Sequence, residues 1–255
     1  MKKLMMGCLL LAALLSCKGP KASQHSLTLM TYNVGVFSKY QESSMPGIAQ
    51  LIRESGATLV GMNELDSCNT RNNAYQVKDL AQMLDWSYLF ARAIPYRGGA
   101  YGDGIVSEKP ILASHRIALS KGDGAEARCA AVVETQDCVF AATHLDHRSE
   151  AAALQQMQEI NAWFQRHYAG CKKPVFLCGD FNVYPDSEVI SLAQASWDLL
   201  SGTGNSFSSH NPSVCIDYIF AFKYAAPVQV LSSRVITEGT RDLSDHLPVV
   251  VTVKY

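Results

Sequence analysis

Residues 174–186 read Pro-Val-Phe-Leu-Cys-Gly-Asp-Phe-Asn-Val-Tyr-Pro-Asp, a short apolar run followed by a polar segment. The run at residues 175–178 predicts a buried strand that stops at Gly179. Asp180 and Asn182 follow at once, and their spacing allows both side chains to point to the same side. An acid and an amide at the end of a strand can hold a hard cation or a water against an anionic substrate. The same two residues also suit a simple turn, in which Asp and Asn hydrogen-bond to the nearby backbone.

Outward from this stretch, the chain alternates predicted strands with predicted helices. Apolar runs predict strands at residues 27–33, 58–62, 105–107, 128–134, 138–143, 214–222, 228–236 and 247–253. Apolar faces at helical spacing predict helices at residues 44–55, 77–84, 153–164 and 187–195. Residues 98–104 are rich in glycine and predict a loop. No repeat or break in composition divides the sequence, so a single layered α/β domain with mostly buried sheets is predicted at residues 27–255.

Several acids, amides and imidazoles share one sequence context, which is the end or edge of a predicted apolar strand. If these strand ends meet at one rim, the side chains line a single pocket. Carboxylates together with amides suit Mg²⁺ or Mn²⁺, whereas the lack of closely spaced His and Cys argues against zinc. A cation, a carboxylate base and imidazoles are what hydrolysis of a phosphate ester requires. The residues are Asn33, Glu64, His144, Asp180, Asn182, Asp217 and His246, with Asp245 beside the last.

Seven short motifs follow one another along the chain. They are Thr31-Tyr-Asn33, Asn63-Glu64, Gly102-Asp-Gly-Ile-Val-Ser107, Thr143-His-Leu-Asp-His147, Gly179-Asp-Phe-Asn182, Ile216-Asp-Tyr218 and Ser244-Asp-His-Leu-Pro248. Their order resembles that of the endonuclease/exonuclease/phosphatase superfamily. The specific signal is Gly-Asp-Phe-Asn followed later in the chain by Ser-Asp-His-Leu-Pro. The resemblance implies a four-layer α/β sandwich, in which two mixed, mainly antiparallel sheets pack face to face and are flanked by helices. It also implies a site at one rim of the sheets.

The resemblance implies a role for each polar residue at this rim. Glu64 would be the main ligand of Mg²⁺ or Mn²⁺, with Asn33 and Asp245 nearby. Asp180 would position or deprotonate the attacking water, and Asn182 would orient that water.

The same resemblance assigns the two imidazoles to the phosphoryl group. His246 would contact the phosphoryl oxygens, and Asp217 would hold its imidazole in one tautomer and orientation. His144 would stabilise the transition state or help to protonate the leaving group. Read without the family, His144 also suits a hydrogen-bonded histidine of the core.

Three further residues are predicted to contact the substrate. Arg148 follows His144 closely and can bind a phosphate group through two N–H groups. Arg71 and Tyr101 lie in predicted loops that can border the pocket. Asp103 departs from the family pattern, because many relatives have an amide after the glycine at this position, and it is assigned no role.

Composition narrows the class of substrate. The 22 Lys and Arg residues nearly balance the 23 Asp and Glu residues, so no basic surface for tight binding of duplex nucleic acid is predicted. An extracytoplasmic nuclease and a non-catalytic binding protein on the same fold are the alternatives to a general phosphoesterase. A small phosphorylated metabolite or sugar phosphate is favoured, and the preference for monoesters or diesters stays open.

The N-terminus predicts export. Lys2 and Lys3 precede an apolar run that is too short to span a bilayer, which indicates a signal peptide at residues 1–16. Cys17 resembles the lipidated cysteine of bacterial lipoproteins, although Leu15 leaves cleavage by an ordinary signal peptidase open. Residues 17–26 are polar and predict a tether. We therefore expect an extracytoplasmic monomer, on the periplasmic or surface side, that contacts a bacterial membrane only through its lipid anchor, and we infer no protein partner.

Six cysteines follow the predicted leader and its lipidation site. Outside the cytosol they can pair, but they are too sparse to form a disulfide scaffold. Structural thiols are the default expectation, and the pairing is left open among Cys68, Cys129, Cys138, Cys171, Cys178 and Cys215.

Overall fold

The computed structural model describes residues 25–255. The predicted signal peptide, Cys17 and residues 18–24 of the predicted tether lie outside the described residues. Within residues 25–255 the chain forms twelve strands and four α-helices. In order they are β1 (Ser26–Asn33), α1 (Met45–Ser55), β2 (Leu59–Ser67), α2 (Gln76–Leu84), β3 (Ser87–Tyr96), β4 (Gly99–Ser107), β5 (Ala113–Leu119), β6 (Arg128–Glu134), β7 (Val139–His144), α3 (Glu150–Tyr168), β8 (Val175–Asp180), α4 (Glu188–Ser196), β9 (Trp197–Leu199), β10 (Asp217–Phe222), β11 (Gln229–Val235) and β12 (Val249–Lys254).

The strands of the described residues form two six-stranded sheets. The first sheet has the order β11-β12-β1-β2-β4-β3, and the second has the order β5-β6-β7-β8-β10-β9. Only β1 with β2, and β7 with β8, pair in parallel among these strands, and the other neighbours are antiparallel. This topology confirms the prediction of two mixed, mainly antiparallel sheets.

Three apolar clusters hold the layers together. The cluster between the sheets contains Leu29 of the first sheet and Phe176 of the second. On the outer face of the first sheet, α1 and α2 contribute buried residues such as Ile48. On the outer face of the second sheet, α3 and α4 contribute residues such as Phe164. Full burial of such side chains contributes roughly 1.5–3 kcal/mol each, and the three clusters confirm the four-layer α/β sandwich.

The two sheets approach each other closely at Gly61 in β2. A Cβ atom on Gly61 would lie 2.4 Å from Cys178 Sγ and 2.9 Å from Ala142 Cβ, both in the second sheet. These distances are shorter than van der Waals contact, so a larger residue would have to move the sheets apart. The backbone of β2 therefore lies directly against the side chains of β7 and β8.

The glycine-rich residues 98–104 are mostly strand, so the prediction of a loop there is wrong. The chain turns at Arg97 and Gly98, which both have positive φ, and β4 then begins at Gly99. β4 pairs with β3 on one side and with β2 on the other. Two ladders of backbone hydrogen bonds outweigh the low strand propensity of glycine. The sequence also fails to predict β3, β5 and β9, of which β5 exposes most of its side chains.

The two parallel pairs bring the predicted polar residues to one rim. Asn33 of β1 is in register with Asn63 of β2, and His144 of β7 is in register with Asp180 of β8. The carboxyl ends of parallel strands meet at the same edge of a sheet. β10 starts at this edge because it runs antiparallel to β8, and Asp217 pairs there with Asp180.

Two further expectations concern membranes and disulfides. Within residues 25–255, none of the helices combines the length and the apolarity that crossing a bilayer requires. All six cysteines of the described chain are unpaired, and Cys129, Cys138, Cys178 and Cys215 are buried. The structure therefore agrees with structural thiols.

Candidate active site

A cleft of about 290 Å³ opens at the rim where these strand ends meet. Asn33 and Asp217 lie behind its wall and hydrogen-bond to residues that line it. The structure thus brings together side chains that are far apart in sequence, while their individual roles stay predictions. The predicted residues that line the cleft are Glu64, Tyr101, His144, Asp180, Asn182, Asp245 and His246.

Asp180, the last residue of β8, reaches the cleft because Gly179 before it has an unusual backbone conformation. Gly179 has a φ of +147°, and a Cβ atom there would lie 1.8 Å from Thr143 O of β7. Only glycine allows the two strands to approach this closely. Asp180 itself is 1% exposed, and its backbone N–H donates to Asn63 Oδ1 at 3.0 Å. The backbone therefore requires glycine at position 179, directly before Asp180.

The two carboxylate oxygens of Asp180 have different partners. Oδ1 accepts the backbone N–H of Asn182 at 2.9 Å. Oδ2 accepts an N–H from Asn33 Nδ2 at 3.1 Å and lies 3.4 Å from His144 Nε2 and 3.5 Å from His246 Nε2. Burial raises the pKa of Asp180 above its usual value, and the charge of His246 opposes that shift. A carboxylate with a raised pKa is suited to accept a proton near neutral pH.

The two imidazoles have opposite pKa shifts. His246 Nδ1 donates to Asp217 Oδ2 at 2.9 Å. Burial alone would lower the pKa of His246, but the negative charges of Asp217 and Asp180 outweigh burial and raise it. Burial lowers the pKa of His144 well below its usual value, and the positive charges of Arg128 and His246 lower it further. His246 is therefore the cationic imidazole of the cleft at neutral pH, and His144 is the neutral one.

A β-bulge in β2 places Glu64 at the cleft. The register between β2 and β4 shifts between Met62 and Leu65, and Glu64 has a φ of +59°. A bulge turns neighbouring residues in different directions, and a non-glycine residue at positive φ costs about 1–3 kcal/mol. Glu64 Oε1 accepts an N–H from Asn33 Nδ2 at 3.3 Å. The surrounding structure therefore maintains a strained backbone in order to present this carboxylate.

Asn63, the neighbour of Glu64, points into the protein and clamps the two sheets together. Its Oδ1 accepts the N–H of Asp180, and its Nδ2 donates to Thr143 O at 2.9 Å and to Asp103 Oδ1 at 2.8 Å. Every polar atom of this amide is used, and the side chain is fully buried. Asn63 belongs to one of the motifs, but its role is not evident from the sequence because its partners lie on other strands.

Asp245 and Asn182 also have partners that fix their side chains. Asp245 Oδ2 forms an ion pair with Lys39 Nζ at 2.6 Å. Asn182 has a φ of +54°, and its Nδ2 donates to Leu145 O at 3.0 Å. Lys39 stands in a polar segment after β1 that contains no motif, so no sequence signal identifies it as a neighbour of the cleft.

The oxygen ligands around the cleft fit a hard divalent cation. Glu64 and Asp245 are carboxylates on the same wall, which is the ligand type that Mg²⁺ and Mn²⁺ prefer. Asp217 Oδ1 is a buried carboxylate oxygen without a hydrogen-bond partner among the described residues, a costly arrangement that a nearby positive charge relieves. A second candidate group is formed by Asp180, Asp217 and His246, whose ligand atoms lie within 4.8 Å of one another.

The three predicted substrate contacts lie at different places. Tyr101 lines the cleft, whereas Arg148 lines a larger cavity beside it. Arg71 binds Asp66 through two N–H groups at 2.7 and 2.8 Å, and its guanidinium lies 5.5 Å from the ring centre of Tyr101. This geometry makes Arg71 a support for the Tyr101 ring.

Arg128 is a cationic residue of the cleft wall that the sequence analysis does not single out. It is 3% exposed, pairs with Glu126 Oε1 at 3.2 Å and donates from Nη2 to His147 Nδ1 at 3.1 Å. Its Nε is buried without a partner among the described residues. Arg128 also lines the cleft, so it adds a fixed positive charge to the cleft wall. The sequence signal for Arg128 is a charged residue at the start of an apolar strand, β6.

Asp103→Asn is expected to stabilise the protein increasingly as the pH rises. Burial raises the pKa of Asp103 from 3.8 to about 7. Because the pKa of Asp103 is raised in the folded state, the contribution of protonated Asp103 to stability is complete below pH 4 and is lost as the pH rises to 7. Asparagine keeps an acceptor for Asn63 and has no charge to bury. The free energy of unfolding of Asp103→Asn, relative to that of the native protein, should therefore increase by up to roughly 4 kcal/mol from pH 4 to pH 8.

Urea unfolding at several pH values measures this difference. Asp198→Asn is the matched control, because Asp198 is exposed on β9 and is expected to change stability little at any pH. A difference between Asp103→Asn and the native protein that stays constant from pH 4 to pH 8 would contradict the buried, titrating carboxylate.

Solved structures share this fold at low sequence identity. A mannosyl-6-phosphatase from Bacteroides thetaiotaomicron has a TM-score of 0.73 and 21% identity, over 90% of this chain and 100% of that chain. An endonuclease/exonuclease/phosphatase structure from Beutenbergia cavernae has a TM-score of 0.72 and 20% identity, over 90% of this chain and 71% of that chain. The human Nocturnin catalytic domain, solved with a bound sulfate, has a TM-score of 0.70 and 18% identity, over 89% of this chain and 94% of that chain.

The family of the chain is shown by its sequence. No curated protein sequence matches the chain significantly. The family model described as "Endonuclease/Exonuclease/phosphatase family" matches residues 30–246, a span that contains every residue of the cleft. The activities in that description are all hydrolyses of phosphate esters. From the motifs, the sandwich, the cleft and this match together, the chain belongs to the endonuclease/exonuclease/phosphatase family.

Proposed function

We propose that this chain hydrolyses phosphate esters with the help of Mg²⁺ or Mn²⁺. The observation that carries the proposal is the position of Asp180, a buried carboxylate within 3.5 Å of one neutral and one cationic imidazole. Hydrolysis of a phosphate ester needs a base for the attacking water and positive charge for the phosphoryl oxygens. The cleft supplies both, and Glu64 and Asp245 add ligands for a cation.

In this mechanism Asp180 accepts a proton from the attacking water. The N–H groups of Asn182 and Asn33 fix one carboxylate oxygen each, so the carboxylate keeps a single orientation during the transfer. Its raised pKa brings its proton affinity closer to that of the water being activated, which favours general base catalysis.

The two imidazoles act on the phosphoryl oxygens in different ways. His246 contributes a positive charge, and Asp217 holds its ring through Nδ1 so that Nε2 faces the cleft. His144 has a lowered pKa and contributes a neutral N–H donor. Charge and hydrogen bonds that are fixed before the reaction stabilise the transition state without further reorganisation.

Glu64 and Asp245 are the residues that we propose as holders of the cation. When bound, the cation neutralises phosphoryl charge as a Lewis acid. Asn33 donates its amide N–H groups to Glu64 and Asp180, and its Oδ1 accepts the N–H of Gly35, so we assign Asn33 the orientation of these carboxylates and not a bond to the cation.

We propose a small phosphorylated metabolite, such as a sugar phosphate, as the substrate class. The balance of basic and acidic residues supports this choice over a long nucleic acid. The shared fold with the structure named as a mannosyl-6-phosphatase is compatible with it. A binding protein without catalysis would lack the base or the cation ligands, and this chain has both Asp180 and Glu64.

We also propose that the protein is a monomeric lipoprotein on the extracytoplasmic face, periplasmic or surface, of a bacterial membrane. The support is the sequence of residues 1–17, in which two lysines and an apolar run precede Cys17. Mass spectrometry of the mature N-terminus tests this, because an unmodified Cys17 or an uncleaved leader would contradict it.

A panel of esters tests the proposed function. The purified mature protein in Mg²⁺ is expected to release phosphate from sugar phosphates at a higher kcat/KM than it cleaves simple diesters or oligonucleotides. Phosphate release and product analysis measure the rates. Hydrolysis of none of the esters would favour the binding protein, and a preference for oligonucleotides would favour the nuclease.

A further inference from the structure

A second cavity, of about 950 Å³, adjoins the catalytic cleft. The two spaces share part of their lining, namely His147, Asn182, Phe207 and Ile216. The cleft around Asp180 is the smaller of the two spaces, at about 290 Å³. The larger cavity has the size that encloses a complete small-molecule ligand.

The position of the cavity fits the alcohol part of a phosphate ester. Its walls come from the segments that follow β7 and β8 and from residues 207–216, which precede β10. All three segments start or end at the catalytic rim. An ester whose phosphorus lies beside Asp180 therefore extends its alcohol across the shared wall into this cavity.

The charged side chains of the lining are mostly acidic. Glu150, Asp186 and Glu188 are exposed acids of the lining, and Arg148 is the one Lys or Arg in the lining that the structure describes. A further acid, Asp146, is occupied by backbone N–H groups of its own loop and of Ala125. Acidic walls repel the evenly spaced phosphates of a nucleic-acid strand. The cavity is therefore unsuited to a polyanion.

Aromatic and neutral polar groups complete the lining. Tyr184 lines the cavity and is 58% exposed, so part of its ring is accessible to a ligand. Phe207 adds a second ring, while Ser208, Asn211 and Ser213 add donors and acceptors. Aromatic faces together with neutral hydrogen-bonding groups suit a ligand that has apolar C–H faces and many hydroxyl groups.

We propose that this cavity is the alcohol subsite of the enzyme and takes an uncharged, polyhydroxylated leaving group, the sugar part of a sugar phosphate. Tyr184 is the specificity-determining residue that stacks on the sugar, and the acids select against polyanions. The inference rests on the proposed hydrolysis of phosphate esters and adds the place and the chemistry of substrate selection.

Tyr184→Ala tests the subsite. With hexose 6-phosphates as substrates, KM is expected to rise roughly three- to tenfold while kcat changes less than about twofold, because one aromatic contact to the sugar is lost. Inhibition by inorganic phosphate, which occupies only the cleft, should not change. Tyr224→Ala is the matched control, since Tyr224 is 49% exposed and follows the end of β10 that is remote from the rim. Equal KM values for both variants would overturn the proposal.

A binding experiment separates this inference from the hydrolysis itself. Saturation-transfer NMR with an uncharged methyl hexoside needs neither a cation nor turnover. Transfer to the hexoside that is lost in Tyr184→Ala and kept in Tyr224→Ala would support the subsite even if no ester were hydrolysed. Absence of transfer, or transfer that Tyr184→Ala leaves intact, would overturn it even if phosphate esters were hydrolysed.

The proposed exclusion of polyanions by the acidic lining can be tested independently. An oligonucleotide is expected to inhibit hexose 6-phosphate hydrolysis more strongly in the double variant Asp186→Asn/Glu188→Gln than in the native protein, by about threefold or more at low ionic strength. Added salt should shrink this difference. Inhibition that is equally strong in both proteins would overturn the role of the acids.

Discussion

Asp180→Asn is expected to reduce the hydrolysis of phosphate esters by roughly 10²- to 10⁴-fold. Asparagine has nearly the same shape and can still accept the N–H of Asn182, but it cannot take a proton from water. Phosphate release under saturating substrate and Mg²⁺ measures the loss. Thermal unfolding should show that the variant is folded, because the substitution removes a buried charge and leaves the packing unchanged.

The pH dependence of the rate gives the same prediction a second readout. In the native protein the rate rises with pH through the raised pKa of Asp180, since only the ionised carboxylate can act as the base. The variant should lack this rise. Asp198→Asn is again the control for replacing an exposed aspartate. Normal turnover by Asp180→Asn would refute the assignment of the base.

Removal of the cation is expected to have an effect of similar size. Treatment with EDTA should stop turnover, and either Mg²⁺ or Mn²⁺ should restore it, because the cation offsets the negative charge of the phosphoryl group. Glu64→Ala should abolish turnover at ordinary Mg²⁺ concentrations. Activity that persists in chelator would show that the reaction proceeds without a divalent cation.

Binding of Mn²⁺, followed by electron paramagnetic resonance, tests the site of the cation without using activity. Glu64→Ala should weaken Mn²⁺ binding by about tenfold or more, whereas Asp217→Asn should leave it nearly unchanged. Glu64 lines the cleft, whereas Asp217 lies behind its wall and holds His246 at 2.9 Å. The reverse result would move the cation to the group formed by Asp180, Asp217 and His246.

The part of the site that is predictable from sequence depends on local rules. Gly179, Asp180 and Asn182 follow an apolar run directly, so a strand end with polar groups is evident from a few neighbouring residues. The four layers are predictable only because the ordered motifs resemble a family. Periodicity alone gives an α/β domain and does not say how many sheets it has.

The remaining features depend on contacts between distant segments. Asn63 is important because Thr143, Asp103 and Asp180 surround it, and none of these is near it in sequence. The opposite pKa shifts of the two histidines likewise arise from burial and from neighbouring charges. His144 and His246 therefore differ in pKa, although both are histidines beside strand ends, and no short sequence motif predicts this difference.

The proposed catalytic residues are divided between the two sheets, which approach each other closely at Gly61. Asn33 and Glu64 belong to the first sheet, and His144 and Asp180 belong to the second. The spacing between the proposed cation ligand and the proposed base is therefore set by how closely the two sheets pack and by the hydrogen bonds of Asn63 and Asn33 between them. A slight separation of the two sheets, caused by heat or by a dissolved apolar solute, would therefore stop hydrolysis while every strand was still intact.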